Sequence, residues 1–228
     1  MYDVIVIGGG PAGVTAALRA RELGARVALV ERHRMGGTCT NDGCVPTRVL
    51  AKAARLWRDA GQMAEYGVMG LEPYLDFERL MKRTQQVVYR VHEKKQLIGQ
   101  LEQVGIDTFV GVGAARFINP EQIGLPDSRR LTSAKFILCA GGRSRRLDFP
   151  GEELALSHSD IWTLSKLPKS LIVVGGAATG CQVASIMDAF GVKVSILEVA
   201  PQILRVEDDL VASQIMQAFR EREIQVIT

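Results

Sequence analysis

Two cysteines separated by four residues, Cys39 and Cys44, lie in a polar, glycine-rich stretch of the chain. The first follows a Gly-Gly-Thr turn, and the second is followed by Pro46 and a long helical pattern. Because the N–H groups of a helix's first turn have no intrahelical partner, proline is tolerated there, and we place the pair at a helix N-terminus. The positive end of a helix dipole favours a thiolate. The pair is therefore a candidate for reversible dithiol–disulfide chemistry.

Two other interpretations of the cysteine pair stay open on spacing alone. The pair could be half of a zinc site, although a structural zinc takes four ligands and no further Cys or His stands at ligand spacing. It could also consist of inert core residues, although the surrounding residues are polar and rich in glycine. The segments on either side favour redox chemistry.

A glycine-rich turn follows the first strand pattern of the chain. A helical pattern comes after this turn, and a second apolar, β-branched run ends at Glu31. Gly8 makes the tight turn, Gly10 lets the backbone approach a pyrophosphate, and Gly13 lets helix and strand pack closely. The pyrophosphate would lie on the helix N-terminus, and Glu31 would accept hydrogen bonds from ribose hydroxyls. The segment predicts a dinucleotide site rather than a glycine turn without a ligand.

The same unit recurs about 167 residues later, from Gly175 through Gly180 to Glu198. Ala177 replaces the middle glycine, and its methyl group would push a pyrophosphate outward. A fold repeat that binds nothing is the alternative. The carboxylate of Glu198 would repel a 2′-phosphate, which favours NADH over NADPH, while Arg205 weakens that preference. Two dinucleotide sites beside a cysteine pair predict electron transfer between two cofactors and a disulfide.

The composition and charge of the chain exclude several classes of function. The chain has 228 residues, 47% hydrophobic residues and a net charge of +3, which describes a globular protein with no basis for a nucleic-acid or membrane-surface partner. No signal-peptide pattern is visible before the first strand, so none is expected, and no apolar run is long enough to span a bilayer. Only two of the four cysteines are close together, so a secreted disulfide scaffold is excluded. The sequence predicts a cytoplasmic protein without a metal site.

The coarse pattern predicts an α/β fold with two Rossmann-like units and parallel sheets, an antiparallel meander in the first unit and an incomplete second unit. Helical patterns cover 49–62 and 77–104, and His92 is expected to be a surface or boundary residue of the second one. The meander is assigned to short β-rich runs between 106 and 138. Residues 1–149 and 150–228 are predicted to be the two nucleotide-binding domains.

The stretch from Gly36 to Thr47 closely resembles the active-site motif of the flavin-dependent pyridine nucleotide–disulfide oxidoreductases, a family that includes dihydrolipoamide dehydrogenase, mercuric reductase and glutathione reductase. The resemblance covers essentially the whole chain. It implies FAD in the first site and NAD(P)H in the second. The implied FAD contacts are Gly8, Gly10, Ala12, Gly13, Glu31, Gly37, Thr38, Ala115 and Gly141, and the implied NAD(P)H contacts are Gly175, Ala177, Gly180, Gln182 and Glu198.

The resemblance also implies the order of the reaction. Hydride would pass from the nicotinamide to the flavin, and electrons would then pass to a Cys39–Cys44 disulfide and on to a small-molecule disulfide substrate. Cys44 would lie against the flavin as the charge-transfer thiolate, and Cys39 would attack the substrate as the interchange thiol.

Departures from the family pattern bear on function. Arg48 stands where the family usually has lysine, and Gln182 stands where it has the glutamate partner, so a shifted flavin potential is expected. The family is about twice as long, and its dimer domain supplies a catalytic histidine–glutamate pair that none of the three histidines here matches. We therefore expect an N-terminal half of an enzyme, with doubtful activity alone and a homodimer only in a full-length form.

Two other functions remain alternatives. The shorter length, Ala177 and Gln182 suit a truncated, non-catalytic nucleotide-binding module. The altered pair of Arg48 and Gln182 suits a flavin enzyme that reduces quinones or metal ions, with incidental cysteines.

Overall fold

The computed structural model describes residues 1–70 and 72–228. The chain forms two compact units, one of Met1–Val45 with Gln86–Ser157 and the other of Pro46–Gln85 with His158–Thr228. Residues 46–85 thus group with the C-terminal residues, whereas the sequence places them in a domain of residues 1–149. The predicted domain boundary stays a prediction.

Eight α-helices and ten strands lie within the described residues. The helices are α1 (Pro11–Glu22), α2 (Gly37–Asn41), α3 (Cys44–Gln62), α4 (Phe77–Lys95), α5 (Leu97–Gln103), α6 (His158–Ile161), α7 (Ala178–Ala189) and α8 (Asp209–Glu221). The strands are β1 (Val4–Ile7), β2 (Val27–Glu31), β3 (Asp107–Val110), β4 (Arg116–Asn119), β5 (Gln122–Gly124), β6 (Arg130–Thr132), β7 (Phe136–Leu138), β8 (Ser170–Val174), β9 (Lys193–Leu197) and β10 (Gln225–Ile227).

A four-stranded parallel sheet in the order β3-β2-β1-β7 is the centre of the first unit. Successive residues of a strand face opposite sides, and both sides of this sheet are apolar and covered. Val6 and Leu29 pack toward Ala17 of α1 and Leu101 of α5. Their neighbours, such as Ile5, face the other side, so β1 and β2 read as continuous apolar runs.

A separate antiparallel sheet, β4-β5-β6, covers that other side of the parallel sheet. Ile123, Leu125 and Leu131 pack against Ile5 and Val30. The predicted meander is therefore present, and the predicted α/β class is confirmed. The strands of the meander differ from the expectation. The run at 108–110 forms β3 and pairs with β2 of the parallel sheet, and β6 was not predicted.

The second unit contains a three-stranded parallel sheet in the order β10-β9-β8. One side packs on α7 and α8 through residues such as Val194, Ile196 and Phe219. On the other side, Ile172 and Val174 are more than half exposed. This sheet is thus buried on one face only. Another apolar cluster joins α3 to Trp162, Ile186 and Phe190 of the same unit.

The predicted helix over 77–104 is two helices. Gln96 has a φ of 41°, in the left-handed region, which ends α4 at Lys95 and starts α5 in a new direction. Leu97 and Leu101 then pack under the parallel sheet of the first unit. Tertiary packing therefore overrides a continuous helical pattern here. No helix in the described part of the chain is long and apolar enough to cross a bilayer.

Candidate functional site

The glutamate at the end of β2 is bound to the first glycine turn. Glu31 Oε2 accepts a hydrogen bond from the Gly9 N–H at 2.7 Å, and Oε1 accepts one from the His33 N–H at 2.8 Å. An ionised carboxylate offers about four lone-pair positions, so two remain for other donors. The carboxylate expected to meet ribose hydroxyls is thus held rigidly beside the turn.

The second glycine turn repeats this arrangement. Glu198 Oε2 accepts from the Gly176 N–H at 2.7 Å, and Oε1 accepts from the Ala200 N–H at 2.8 Å. These backbone donors lower the pKa of Glu198 below its ordinary range, and the charge of Arg205 lowers it slightly further. Glu198 therefore stays ionised beside the turn, which the predicted preference for a ribose diol over a 2′-phosphate requires.

The helices that follow the two turns have no side-chain caps. The N-cap residues of α1 and α7 are Gly10 and Ala177, which have no side-chain oxygen to accept a hydrogen bond from the first turn. By contrast, Asp208 caps α8 by accepting from the Leu210 N–H at 2.9 Å. When a helix starts directly after a glycine turn without a side-chain cap, its first N–H groups are available to bind phosphate oxygens.

Two glycines of the turns are required by the protein's own packing. A Cβ on Gly13 would lie 1.7 Å from the Gly8 carbonyl oxygen, and one on Gly180 would lie 2.0 Å from the Gly175 carbonyl oxygen. At these two residues each helix packs against the backbone of its own glycine turn. The sequence predicts this close packing for the third glycine of the motif. This backbone contact is independent of any ligand.

The middle glycine of the first turn is different. A Cβ on Gly10 would have the Gly37 Cα, at 3.6 Å, as its closest neighbour. The protein itself therefore has room for a side chain at this position, and this open space beside the helix N-terminus is where the sequence predicts a pyrophosphate. In the second turn Ala177 already places a methyl group there.

The first glycine turn also lies where the order of the parallel sheet reverses. The chain passes from β1 through α1 to β2 on one side, while β7 pairs with β1 on the other side. The Cys139 N–H donates to the Ile7 carbonyl at 2.7 Å, and a Cβ on Gly8 would lie 2.1 Å from the Cys139 carbonyl oxygen, so the residues after β7 lie directly beside Gly8. Gly141, with φ at 69°, follows two residues later. Open α/β sheets bind ligands at such a switch point.

The cysteine segment is attached to the first glycine turn. The Gly36 N–H donates to the Gly9 carbonyl at 2.9 Å, and a Cβ on Gly37 would lie 2.9 Å from the Gly10 Cα. Gly36 and Gly37 both have positive φ values, 96° and 56°, which glycine adopts at little cost. The short helix α2, which carries Cys39, therefore starts against the turn.

The two cysteines lie on consecutive helices. Cys39 is half-buried within α2, and Cys44 is exposed as the first residue of α3, with Pro46 in the first helical turn. The expected position at a helix N-terminus thus applies to Cys44, whereas Cys39 belongs to a five-residue helix before it. Helix α3 begins five residues earlier than the pattern at 49–62 predicts.

A histidine that the sequence predicts to be a surface or boundary helix residue contacts this segment. His92 Nε2 lies 2.8 Å from Asn41 Oδ1, and Asn41 Nδ2 donates to the carbonyls of Met35 and Gly37 at 3.0 Å each. Burial lowers the pKa of His92, and the charges of Arg34 and Lys95 lower it further. His92 and Asn41 are 51 positions apart, and no local sequence pattern predicts a contact over that separation.

The remaining predicted site residues have simple surroundings. Ala12 and Thr38 are exposed, and Ala115 is half-buried beside the apolar cluster under the antiparallel sheet. Arg48 and Gln182 are both exposed residues of the second unit. Within the described part of the chain, no hydrogen bond joins Arg48 to Gln182, and the expected interaction of this pair stays a prediction.

The other two cysteines have structural surroundings. Cys181 is buried, its thiol donates to the Gly176 carbonyl at 3.2 Å, and burial raises its pKa to about 11. A thiol with so high a pKa is a poor nucleophile at neutral pH. Cys139 is half-buried at the end of β7. Among the residues that the structure describes, no group of three or more His, Cys, Asp or Glu side chains is placed to hold a metal ion.

Comparison with known proteins agrees with this geometry. The family described as pyridine nucleotide-disulphide oxidoreductase matches residues 2–228. The chain belongs to this family. The resemblance seen in the glycine turns and the cysteine motif is thereby confirmed.

The relatives that resemble this chain carry the names of enzymes. A dihydrolipoyl dehydrogenase of Zymomonas mobilis is 34% identical, and one of Bacillus subtilis is 33% identical; each alignment includes the whole chain. The solved structure of RclA of Escherichia coli, an HOCl-induced flavoprotein disulfide reductase, is similar with a TM-score of 0.82 and 29% identity over 99% of the chain. A Cu(II) complex of RclA matches with a TM-score of 0.81.

The chain spans about half the length of the proteins it matches. It covers 49% and 50% of the two dehydrogenases and 48% of the RclA chain. The shared half is the one that contains both glycine turns and the cysteine segment.

Proposed function

We propose that this chain binds FAD at the first glycine turn and NAD(P)H at the second, and takes part in passing electrons from NAD(P)H to the Cys39–Cys44 pair and on to a disulfide substrate. The observation that supports it best is the attachment of the cysteine segment to the first glycine turn, through the 2.9 Å hydrogen bond from Gly36 to Gly9. That bond attaches the start of the cysteine segment to the turn at which a dinucleotide would bind.

The residues of the first unit have distinct roles in this proposal. FAD, when bound, supplies a flavin ring that accepts hydride from a nicotinamide and delivers two electrons to a disulfide. The N–H groups at the start of α1 would bind its pyrophosphate, and Glu31 would accept from its ribose. Cys44, exposed at the start of α3, would receive the electrons, and Cys39 would exchange with the substrate.

The second site would prefer NADH. Glu198 is ionised beside the glycine turn and would repel a 2′-phosphate, while Arg205 acts in the opposite sense. Ala177 places a methyl group where a glycine would let the pyrophosphate come closest. We infer a weaker pyridine nucleotide site than a glycine at 177 would form, with NADH bound more tightly than NADPH.

The names of the relatives support a substrate class for this chain. Dihydrolipoyl dehydrogenases act on a dithiol, and RclA is named a disulfide reductase. We infer for this chain a small-molecule disulfide of the lipoamide type. The exposure of Cys44 and the half-buried position of Cys39 leave the pair accessible to a small substrate.

The test measures flavin binding and sulfur chemistry in the 228-residue chain. Added FAD should bind and lose fluorescence, and glutathione redox buffers should form a Cys39–Cys44 disulfide that peptide mass mapping detects. Reduction of the flavin-loaded protein by two electrons should produce a long-wavelength absorption band, and Cys44→Ser should remove it. A protein that binds FAD without either the disulfide or the band would contradict the proposal, and NADH oxidation with lipoamide would exclude a non-catalytic module.

A second candidate function, reduction of metal ions, is favoured by the Cu(II) complex known for RclA. The two functions differ in their dependence on the cysteines. If flavin-loaded protein reduces Cu(II) with NADH and Cys44→Ser leaves that rate unchanged, the cysteines are incidental and the second function holds. If Cys44→Ser abolishes reduction of both Cu(II) and lipoamide, the dithiol function holds.

A further inference from the structure

The hydrogen bond between His92 and Asn41 has a direction that the surrounding atoms determine. Asn41 Nδ2 faces two backbone carbonyls, those of Met35 and Gly37, at 3.0 Å each, so the amide nitrogen is the donor to both. The amide oxygen must then face His92 Nε2 and accept. His92 therefore carries a proton on Nε2. Arg34 and Lys95, the two cations near the ring, favour its neutral form.

The contact lies on the element that carries Cys39. Helix α2 runs from Gly37 to Asn41, and Asn41 joins its C-terminal end to the Gly37 carbonyl at its start and to the Met35 carbonyl before it. The His92 ring also packs against the same turn, because its Cε1 would lie 3.3 Å from a Cβ on Gly36. His92 thus contacts both ends of the segment that surrounds Cys39.

A five-residue helix is too short to hold its own geometry in water. It needs contacts with the rest of the protein, and those of α2 include the hydrogen bonds through Gly36 and Asn41 and the burial of Thr40. His92 belongs to α4, a separate helix of 19 residues. A side chain on a long helix therefore restrains a short helix that carries a reactive thiol.

We propose that His92 is a positioning residue for Cys39, which acts through Asn41 to hold α2 where the Cys39 thiol can reach Cys44. The inference rests on the proposed dithiol function and deepens it. It assigns no direct contact between His92 and the sulfur atoms. The imidazole donates one hydrogen bond, and its effect on the thiol passes through the amide of Asn41.

The consequence concerns the thiol–disulfide equilibrium. In a glutathione buffer, the Cys39 and Cys44 thiols lose two electrons and two protons and form one S–S bond, while the S–S bond of oxidised glutathione breaks and yields two glutathione thiols. A restrained Cys39 loses less freedom when that bond closes, which favours the disulfide. Removing the restraint should shift the equilibrium toward the dithiol.

The test compares His92→Phe, which keeps an aromatic ring against Gly36 but has no donor, with His92→Gln, which keeps an N–H donor. Equilibration of the full chain in glutathione buffers at pH 7, followed by acid quenching and peptide mapping, gives the constant for the Cys39–Cys44 disulfide. We expect His92→Phe to lower this constant by about three- to tenfold and His92→Gln to retain most of it. His33→Phe, on an exposed histidine near the same segment, is the matched control and should leave it unchanged.

A double-variant cycle tests the route through Asn41. Asn41→Ala should lower the constant by itself, and adding His92→Phe to it should lower it no further. Circular dichroism of each variant shows that it is folded. If His92→Phe is folded and its constant equals that of the wild type, or if the two substitutions act additively, the positioning role is wrong and the dithiol function stands. A wild-type chain that forms no Cys39–Cys44 disulfide would overturn both.

Discussion

At the scale of single residues, Gly10 and Gly13 are three positions apart but are glycine for different reasons. A Cβ on Gly13 would lie 1.7 Å from the Gly8 carbonyl oxygen, whereas one on Gly10 would approach protein atoms no closer than 3.6 Å. At Gly13 a side chain would clash with the protein's own backbone, whereas at Gly10 the space beside the helix N-terminus is open. Packing therefore explains the glycine at position 13, and we predict that the glycine at position 10 serves binding.

Substitution by alanine should separate these two roles. Gly13→Ala should lower the free energy of unfolding by about 1 to 3 kcal/mol, because the backbone must move to accommodate the methyl group. Gly10→Ala should change it by less than about 1 kcal/mol, yet weaken FAD binding by about tenfold or more. Thermal unfolding and FAD titration measure the two effects. If Gly10→Ala instead unfolds the protein and leaves flavin affinity intact, the assignment of this position to the pyrophosphate is wrong.

At the scale of elements, a carboxylate at the end of the strand that follows α1, and another at the end of the strand that follows α7, accepts a hydrogen bond from the preceding glycine turn. Glu198, at the end of β9, accepts from the Gly176 and Ala200 N–H groups, and Glu31 does the same at the end of β2. The two glutamate clamps are 167 positions apart, and each accepts from backbone N–H groups at equivalent positions of its own unit. This hydrogen-bond pattern is a property of the strand–turn–helix–strand unit.

The clamp in the second unit predicts a pH dependence. The pKa of Glu198 is lowered in the folded chain, so the unfolded state binds the proton more tightly. The stabilisation is therefore complete above the ordinary glutamate pKa of about 4.3 and is lost as the pH falls through the lower, folded value. Glu198→Gln should be less stable than the wild type at pH 7, and the difference should shrink below about pH 4. Urea unfolding across this range measures it; a difference independent of pH would contradict the clamp.

The helices show where an element departs from its pattern. The stripe from Leu80 to Leu101 has helical spacing throughout, but Gln96 in the left-handed region divides it into α4 and α5. Helical periodicity reports which residues face a core, and it is the same on either side of a break. The break is set by the two cores, since Leu80 packs in the second unit and Leu101 in the first.

At the scale of the whole molecule, the sheets of the two units are buried differently. The parallel sheet of the first unit is covered by helices on one side and by β4, β5 and β6 on the other. The sheet of the second unit is covered on one side, so alternate residues along β8 and β9 differ sharply in exposure. Ile196 is fully buried, while Ile172 is 65% exposed.

The one-sided burial predicts the stability of two matched variants. Ile196→Ala should lower the free energy of unfolding by about 2 to 5 kcal/mol, because it leaves a cavity between the sheet and its helices. Ile172→Ala should change it by less than about 0.5 kcal/mol, because little of its surface is buried. Chemical denaturation of the 228-residue chain provides both values. Equal losses for the two variants would mean that the outer face of β8 is covered in solution.

Local features of the sequence were enough to predict the family, the α/β class, both glycine turns, the antiparallel sheet and the candidate cysteine pair. Such features depend on residues close together in the chain: a turn, the first turn of a helix, or the alternation of a strand. The glutamates at the ends of β2 and β9 belong to the same class, since each is 22 residues from the glycine that donates to it.

Only the tertiary structure decided which distant segments meet. The contact of His92 with Asn41 joins residues 51 positions apart, the break at Gln96 follows the packing of two cores, and the grouping of residues 46–85 with 158–228 follows from contacts across the chain. Periodicity determines which face of a helix is apolar but not which partner covers it. That choice depends on the packing of the whole chain, so a polar residue such as His92 has no pattern in the sequence that reveals its partner.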